Sequence, residues 1–309
     1  MYKFGVDVGG TTVKIGLFSG DGKLEEKYEI ATDKSDQGAH IIEHIAAKLD
    51  EIIAEKSYGI LDCMGVGIGL PGPVDRGMIL GCVNLGWGIF SIVEEFSKAF
   101  HNVPVYAGND ANIAALGEYV AGAGKGMKNM MMVTLGTGVG GGIIIDGRIL
   151  EGANGGAGEI GHIPVNPQEQ DTCGCGKKGC LEQYASATGI VRIAEKLRKE
   201  NGNTALPAGC TAKQVFDYAK EGDELAMQAV EELGRYLGLA LASCACVLNP
   251  EGIVIGGGVS RAGKILLDVT EKNFQTYVFK PCRNVKFSLA ELGNDAGIYG
   301  SARMVIKEA

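Results

Sequence analysis

The chain has 309 residues, and 49 of them are glycine, about 16% where average usage is about 7%. The 8 prolines and the lack of a three-residue glycine period exclude collagen, and an apolar content of 46% excludes a disordered chain. The net charge of -8, with no basic cluster longer than Lys177-Lys178, argues against nucleic acid and anionic membranes as partners. The length suggests about two domains.

The N-terminus and the cysteines indicate the compartment. Met1-Tyr2-Lys3-Phe4 leads directly into strand-like sequence, without the charged and apolar regions of a signal peptide. The longest nearly apolar run, residues 236–248, is well short of the roughly 20 residues that span a bilayer, so we expect a buried helix. Nine cysteines, an odd number, then favour a reducing cytoplasm in which thiols are free or bound to metal.

A strand, a glycine turn and a second strand occur twice, about 130 residues apart. The first copy joins strands at 2–8 and 13–18 through Gly9-Gly10-Thr11-Thr12, and the second joins 131–135 to 143–145 through 136–142. Other strands are predicted at 24–30, 64–69, 103–107 and 252–255, and helices at 39–53, 91–100, from Ala111, 186–200, 211–220, 223–248 and 296–308. We interpret the repeat as a duplicated α/β unit with a cleft between its copies.

The two glycine turns have the composition of phosphate-binding loops. Without side chains, their backbone N–H groups can approach a phosphate, and Thr11 and Thr12 add hydroxyl donors. Asp7, just before the first turn, is placed to hold Mg²⁺ directly or through water. A single such turn is equally typical of an ordinary hairpin, but the repetition favours a phosphate clamp. A third cluster, Gly256-Gly257-Gly258, fits either a nucleotide lying on bare backbone or a plain strand-to-helix turn.

Asn109-Asp110 lies where a predicted strand ends and a helix begins. Asp110 can act as the N-cap of that helix, or as a carboxylate that takes a proton from a substrate hydroxyl. Spacing alone does not separate these two roles.

Four residues have the types and spacing of a zinc site, namely His162, Cys173, Cys175 and Cys180. Three thiolates and one imidazole suit tetrahedral Zn²⁺, and four protein ligands leave no open position, so the metal would be structural. Disulfide pairing is the alternative, and the compartment and the awkward reach within Cys-x-Cys disfavour it.

Together these motifs resemble the ROK family (repressors, open reading frames and kinases), and most closely its bacterial glucokinases. The segments that carry the resemblance run in family order along most of the chain and are Asp7-Val8-Gly9-Gly10-Thr11-Thr12, Leu70-Pro71-Gly72-Pro73, Asn109-Asp110-Ala111-Asn112, Leu135-Gly136-Thr137-Gly138-Val139-Gly140-Gly141-Gly142, Glu159-Ile160-Gly161-His162 and Cys173-Gly174-Cys175-Gly176-Lys177-Lys178-Gly179-Cys180-Leu181-Glu182. The last segment is the most specific, because the wider actin-like sugar kinases share the glycine turns.

The resemblance implies an α/β protein with the actin-like, ribonuclease H-like duplicated ATPase fold. Its two domains would flank a cleft. The small domain would comprise residues 1–110 with 295–309, and the large domain residues 111–294 with a zinc loop at 159–182.

The resemblance also implies a role for each matching residue. Asp110 would be the catalytic base. The sugar would be bound by Gly72, Asn84, Asn109, Asp110, Glu159, His162 and Glu182. ATP and Mg²⁺ would be bound by Asp7, Gly9, Gly10, Thr11, Thr12 and Lys14 at the first phosphate site, by Thr137 and Gly138 at the second, and by Gly256, Gly257 and Gly258 beside the adenosine.

The expected function is ATP-dependent phosphorylation of a hexose, glucose to glucose 6-phosphate, with zinc ordering the sugar pocket. Alternatives within the family are kinases of N-acetylmannosamine, N-acetylglucosamine, fructose or allose, or a polyphosphate donor. From a different class, the family's sugar-responsive repressors carry an N-terminal helix-turn-helix, whereas the first phosphate hairpin here begins at residue 2. The resemblance suggests a homodimer or homotetramer. We also expect the glycine clusters to mark the site; they lie at 5–16, 65–72, 136–142, 152–161, 174–179 and 256–258.

Overall fold

The computed structural model describes residues 1–201 and 204–305, in which strands and helices alternate. The strands are β1 (Tyr2–Val8), β2 (Thr12–Ser19), β3 (Leu24–Ala31), β4 (Cys63–Leu70), β5 (Val74–Asp75), β6 (Met78–Cys82), β7 (Trp87–Ser91), β8 (Val105–Asn109), β9 (Met130–Leu135), β10 (Val139–Ile145), β11 (Arg148–Ile149), β12 (Gly252–Gly256) and β13 (Lys286–Leu289). The helices are α1 (Ile41–Lys56), α2 (Ile92–Ala99), α3 (Asp110–Ala121), α4 (Glu182–Ala185), α5 (Ala187–Asn201), α6 (Ala212–Lys220), α7 (Glu224–Leu248), α8 (Lys264–Tyr277) and α9 (Ala296–Met304).

The predicted strands and helices are confirmed, with shifts of a few residues at their ends. The last helix ends at Met304, and the part of its predicted range beyond residue 305 lies outside the described residues. The small strands β5 to β7 and β11, the short helix α4, helix α8 and strand β13 were not predicted. Helix α8 follows Gly263, which has φ 77° and provides no capping side chain, so its start carries none of the usual signals.

The chain divides into two compact units. The first contains Met1–Gly126, Arg148–Ala157 and the described residues from Asn294 onward, and the second contains Met127–Gly147 and Gly158–Gly293. The predicted domain limits, 1–110 with 295–309 and 111–294, stay a prediction.

The first unit is built on a sheet with the order β3-β2-β1-β4-β8. Strand β1 pairs antiparallel with β2, which places Asp7 opposite Lys14, and β1, β4 and β8 are parallel. Since the carboxyl ends of parallel strands meet at one edge, Val8, Leu70 and Asn109 end side by side. A separate small sheet has the order β5-β6-β7.

Helix α9 packs directly on this sheet, because glycines leave room for its backbone. A Cβ atom built on Gly5 would overlap the carbonyl oxygen of Ile298, and one on Gly67 would overlap that of Ser301. The Ser301 hydroxyl donates a hydrogen bond to the Val6 carbonyl oxygen over 2.8 Å. The expectation that the glycine clusters mark the site is therefore wrong for these two glycines, which serve helix packing.

The second unit repeats the connectivity of the first. Strand β9 pairs antiparallel with β10 and parallel with β12, and β12 pairs parallel with β13. The order β10-β9-β12-β13 thus matches β2-β1-β4-β8 strand for strand, which confirms the predicted duplication. Helix α7 carries most of the apolar run at 236–248 into the core, as predicted. Among the described helices, none has the length and apolarity needed to cross a membrane.

Candidate active site

The predicted site residues fall into two groups, one in each compact unit. In the first unit, a hydrogen bond closes the turn between β1 and β2 at Gly9, and Gly10 has open space beside it. The Gly9 N–H donates to the Thr12 carbonyl oxygen over 2.9 Å, whereas a Cβ on Gly10 would meet nothing within 4 Å. Thr32 holds the turn from outside, since its hydroxyl donates to the Gly9 carbonyl oxygen over 2.7 Å and its N–H to the Thr11 carbonyl oxygen over 2.9 Å. The turn leaves open space beside the Gly10 backbone and exposes Thr11, as a phosphate loop requires.

Asp7 lies largely buried just before this turn. Burial raises the pKa of its carboxyl to about 6; the positive charge of Lys14 opposes this shift and the negative charge of Asp110 adds to it. A Cβ on Gly297 of α9 would overlap the Asp7 carboxyl, so that glycine makes room for it. The Lys14 ammonium donates to the Asn294 carbonyl oxygen over 3.2 Å. A carboxylate in a site that disfavours its charge gains from a bound cation, which suits a magnesium ligand.

The geometry separates the two roles left open for Asp110. The N-cap of α3 is Asn109, whose side-chain oxygen accepts hydrogen bonds from the N–H groups of Ala111 over 3.0 Å and of Asn112 over 3.3 Å. Asp110 is the exposed first residue of the helix, and its carboxylate accepts from the Ala111 N–H over 2.8 Å. Because Asn109 caps the helix, Asp110 is not needed for capping.

Of the remaining predicted sugar residues of the first unit, Gly72 is in contact with Asn109. Its side-chain NH₂ donates to the Gly72 carbonyl oxygen over 3.2 Å, so both ends of this amide are engaged within the protein. A Cβ on Gly72 would lie 2.9 Å from the carbonyl oxygen of Gly81, so the end of β6 lies beside Gly72. Asn84 is exposed in the turn that connects β6 to β7.

In the second unit, the turn between β9 and β10 is held from its outer side. The Gly136 N–H donates to the Gly138 carbonyl oxygen over 2.9 Å, and the Gly136 carbonyl oxygen accepts from the Ala187 N–H over 2.8 Å. The Thr188 hydroxyl donates to the Thr137 carbonyl oxygen over 3.0 Å. The start of α5 therefore fixes the turn, while the Thr137 side chain stays exposed.

Glu182 connects this turn to the cysteine cluster. One of its carboxylate oxygens accepts from the Val139 N–H over 3.1 Å, and the other lies 3.6 Å from the Cys173 sulfur. A predicted sugar ligand, a predicted phosphate turn and a predicted zinc ligand are thus in contact. Glu159 is exposed, and its carbonyl oxygen accepts from the His162 N–H over 3.1 Å.

The four predicted zinc ligands come together. Their ligand atoms all lie within 4.8 Å of one another, with 3.6 Å between the sulfurs of Cys175 and Cys180 and 4.0 Å from the Cys173 sulfur to His162 Nδ1. Around a tetrahedral zinc ion with bonds of about 2.0–2.3 Å, two ligand atoms lie about 3.5–3.8 Å apart. The two sulfurs of a disulfide lie only about 2.05 Å apart. All nine cysteines are free thiols. The cluster is compatible with a structural zinc ion and not with the disulfide alternative.

The third glycine cluster borders a cavity. Gly257 has φ 81°, and a Cβ there would press on the backbone of Leu135, while Gly258 is open. A cavity of about 420 Å³ lies beside it, lined by residues that include Thr211, Phe216, Lys220 and Val259. The sequence indicated the glycines but not the α6 side chains that complete this cavity, because their spacing is that of any amphipathic helix. A cavity of about 610 Å³ elsewhere in this unit, around Tyr184 and Arg192, contains none of the predicted nucleotide residues.

The comparisons with known proteins agree with this geometry. The ROK family profile matches residues 3–308. The chain belongs to the ROK family. It is 46% identical to the glucokinase of Halalkalibacterium halodurans over 97% of this chain and 94% of the relative, and 37% identical to the glucokinase of Thermotoga maritima over 98% and 96%.

A solved ROK structure supports the fold in the same way. The ROK family glucokinase of Streptomyces griseus, solved in complex with glucose and AMPPNP, superposes with a TM-score of 0.76 at 33% identity, covering 98% of this chain and 99% of that one. The duplicated, actin-like α/β fold predicted from the sequence is therefore confirmed.

Proposed function

We propose that this protein is a hexokinase-type phosphotransferase that transfers the γ-phosphoryl group of ATP to O6 of glucose. The observation that carries the proposal is the 46% identity to a glucokinase over nearly the whole of both chains. The two glycine turns, with an exposed aspartate at the start of α3, provide the groups that such a reaction needs.

Asp110 is the catalytic base in this proposal. A phosphoryl transfer requires mainly that the reactants be positioned and that charge be stabilised, and the attacking hydroxyl must lose its proton. Asp110 would accept the proton of the sugar hydroxyl. Asn109 provides the N-cap of α3, so the proposed role of Asp110 does not conflict with capping of the helix.

The glycine turns hold the phosphates. The turn at Gly9, Gly10, Thr11 and Thr12 offers N–H and hydroxyl donors to one phosphate site, with Lys14 nearby, and Thr137 and Gly138 serve the second. Asp7 would hold Mg²⁺, which neutralises the charge that develops on the transferred group. The adenosine would lie beside Gly256, Gly257 and Gly258, in the cavity lined by Phe216 and Lys220.

The sugar hydroxyls would be recognised by Gly72, Asn84, Asn109, Asp110, Glu159, His162 and Glu182. Zinc, when bound by His162, Cys173, Cys175 and Cys180, orders the loop that carries three of these residues. The structure turns Nδ1 of His162 toward the Cys173 sulfur, at 4.0 Å, so the metal and the sugar would use different ring nitrogens. The proposal includes a homodimer or homotetramer, and light scattering would measure the molar mass that tests it.

The substrate test measures ADP release from the purified protein against a panel of hexoses and N-acetylhexosamines. A parallel assay with polyphosphate detects the sugar phosphate directly. We expect glucose with ATP to be preferred by at least about tenfold in kcat/KM, about 1.4 kcal/mol in the barrier. Preference for another sugar or for polyphosphate would refute the assignment of glucose as substrate or of ATP as donor. The protein would then still be assigned as a ROK kinase.

The test of the base uses Asp110→Asn. We expect kcat to fall by about 10²–10⁴ while glucose binding persists, because only proton transfer is lost. Glucose binding can be followed by the fluorescence of Trp87, the single tryptophan, in β7 after the turn that contains Asn84. Glu94→Gln, which also removes an exposed carboxylate from the first turn of a helix, is the control and should keep normal turnover. Near-normal turnover in Asp110→Asn would remove Asp110 from the chemistry.

A further inference from the structure

The segment between the two parts of the zinc cluster is held by contacts that no motif predicts. This segment, residues 166–171, follows His162, precedes Cys173, and contains no helix or strand. Apart from main-chain hydrogen bonds such as that from the Asn166 N–H to the Gly179 carbonyl oxygen over 3.2 Å, its position depends on side-chain contacts. The residues that make those contacts also influence where the cluster and Glu182 lie.

Arg192 of α5 makes the central contacts. Its guanidinium donates to the Glu169 carboxylate over 2.7 Å, to the Asp171 carboxylate over 3.1 Å and to the Gln183 carbonyl oxygen over 3.1 Å. The Glu169 side chain is only 11% exposed, so this ion pair is less screened by water than a surface pair. The hydrogen bond from Arg192 also lowers the pKa of Glu169 to about 2, so the pair stays charged at neutral pH.

Tyr184 joins the same segment to the core. Its hydroxyl donates to the Glu169 carboxylate over 2.5 Å and accepts from the Asn166 side-chain NH₂ over 2.8 Å. Its ring centroid lies 5.0 Å from the Arg192 guanidinium and 3.9 Å from the ring of Tyr236 on α7. Because α7 is the central helix of the core, the segment is anchored to a rigid element.

Gln183 connects residues 166–171 to the cysteine cluster through hydrogen bonds. Its side-chain oxygen accepts from the N–H groups of Gly179 over 2.8 Å and of Cys180 over 3.1 Å, and its NH₂ donates to the Asp171 carbonyl oxygen over 3.0 Å. Gln183 is therefore bonded to a zinc ligand through its side chain and to Arg192 through its main chain. Its neighbour in the chain is Glu182.

We infer that Arg192 is a positioning residue for the sugar side of the site, holding residues 166–171 and Gln183 so that Glu182 and the zinc cluster keep their places. The inference rests on the proposed function for the role of Glu182. Removing the guanidinium leaves the Glu169 carboxylate partly buried without its cation and frees the Gln183 carbonyl. If Glu182 moves, the phosphate turn loses its bond from Val139 N–H but keeps those to Ala187 and Thr188, so the contacts of ATP should be spared.

The test compares Arg192→Ala with Arg198→Ala on the same helix. The two arginines are similarly exposed, at 35% and 32%, but Arg198 forms its ion pair with Glu195 of its own helix. In the zinc-loaded protein, we expect Arg192→Ala to raise the KM for glucose and the rate of zinc release to a metallochromic chelator by about tenfold or more. The KM for ATP should stay within about twofold of the wild type, and Arg198→Ala should match the wild type in all three values.

Two further variants complete the test. Arg192→Lys keeps the charge but lacks the planar fork that reaches three acceptors, so it should restore the zinc release rate only in part. Tyr184→Phe keeps the ring and loses one hydroxyl, so it should shift zinc release and the KM for glucose in the same direction by about threefold. This variant decides the question should Arg192→Ala fail to fold.

The possible outcomes separate this inference from the proposed function. Unchanged zinc release and unchanged KM for glucose in Arg192→Ala would overturn the inference, as would an equal rise in the KM for ATP, which indicates general loss of structure. If the wild type fails to phosphorylate glucose, the proposed function falls. Zinc release still decides whether Arg192 holds the cluster, and normal release in Arg192→Ala would overturn that part as well.

Discussion

Adding one methyl group at Gly138 should separate the stability of the fold from the function of the site. A Cβ at this position would overlap the Glu182 carboxylate oxygen that accepts from the Val139 N–H. To reach an ordinary contact of 3.4 Å, that oxygen must move by about 1 Å. The moving atom is the end of a flexible side chain, so the fold can adapt, but the carboxylate leaves the position in which it would bind the sugar.

The cost of this change can be worked out from the structure. Losing one hydrogen bond to a carboxylate should reduce the free energy of unfolding by about 1.5–3 kcal/mol. A displacement of about 1 Å in a group that positions a substrate can reduce kcat/KM by about 10². We therefore expect Gly138→Ala to remain folded, with a Tm within about 10 °C of the wild type, and to lose about a hundredfold in kcat/KM for glucose.

The matched control is Gly136→Ala in the same turn. A Cβ there would have only the Gly138 carbonyl oxygen, at 4.0 Å, as a near neighbour. Steady-state kinetics with glucose varied at saturating ATP give the KM for glucose of both variants, and thermal unfolding gives their stability. We expect the KM for glucose to be unchanged in Gly136→Ala. A normal KM for glucose in folded Gly138→Ala would refute the role given to Glu182.

Two other predictions concern Asp7 and the metal. Burial raises the pKa of Asp7 to about 6, so between about pH 4 and pH 6 this carboxyl binds more protons in the folded protein than in the unfolded chain, and its own contribution to stability falls as the pH rises. Asp7→Asn should gain up to about 3 kcal/mol over the wild type from pH 4 to pH 7 in magnesium-free urea unfolding, and parallel pH profiles would contradict this. Metal analysis should find about one zinc per chain, and chelation should raise the KM for glucose before that for ATP. A zinc-free preparation with a normal KM for glucose would be inconsistent with the role of the cluster.

Local features of the chain were predictable because they depend on neighbouring residues. The residue pattern alone predicts the strands β1 and β2, the glycine turn between them and the helical period of α1. The cluster of His162 with three cysteines belongs to the same class, since its members lie close together in the chain and their chemistry suits structural zinc. The strands β5 to β7 were missed because they are two to five residues long and carry no regular alternation.

Contacts between distant segments were not predictable. Whether Asn109 or Asp110 caps α3 depends on the backbone at the end of β8, where Asn109 has φ -66° and ψ 142°. The anchoring of residues 166–171 by Arg192 joins parts of the chain about 20 residues apart, through hydrogen bonds that no spacing indicates. The glycines illustrate the same limit, because Gly5 in the sequence resembles a phosphate-loop residue and in the fold makes room for α9.

The amino-acid sequence by itself determined the duplicated α/β pattern, the two glycine turns, the grouping of His162 with three cysteines and the ROK family, because each depends on residue type and short-range spacing. Only the tertiary structure decided which glycines make room for a helix, that Asn109 is the N-cap of α3, and that Glu182 contacts both the second glycine turn and the cysteine cluster. Those outcomes depend on which backbones and side chains come into contact when the chain folds. Short-range sequence patterns do not reveal such contacts, because many of the residues that make them are far apart in the chain.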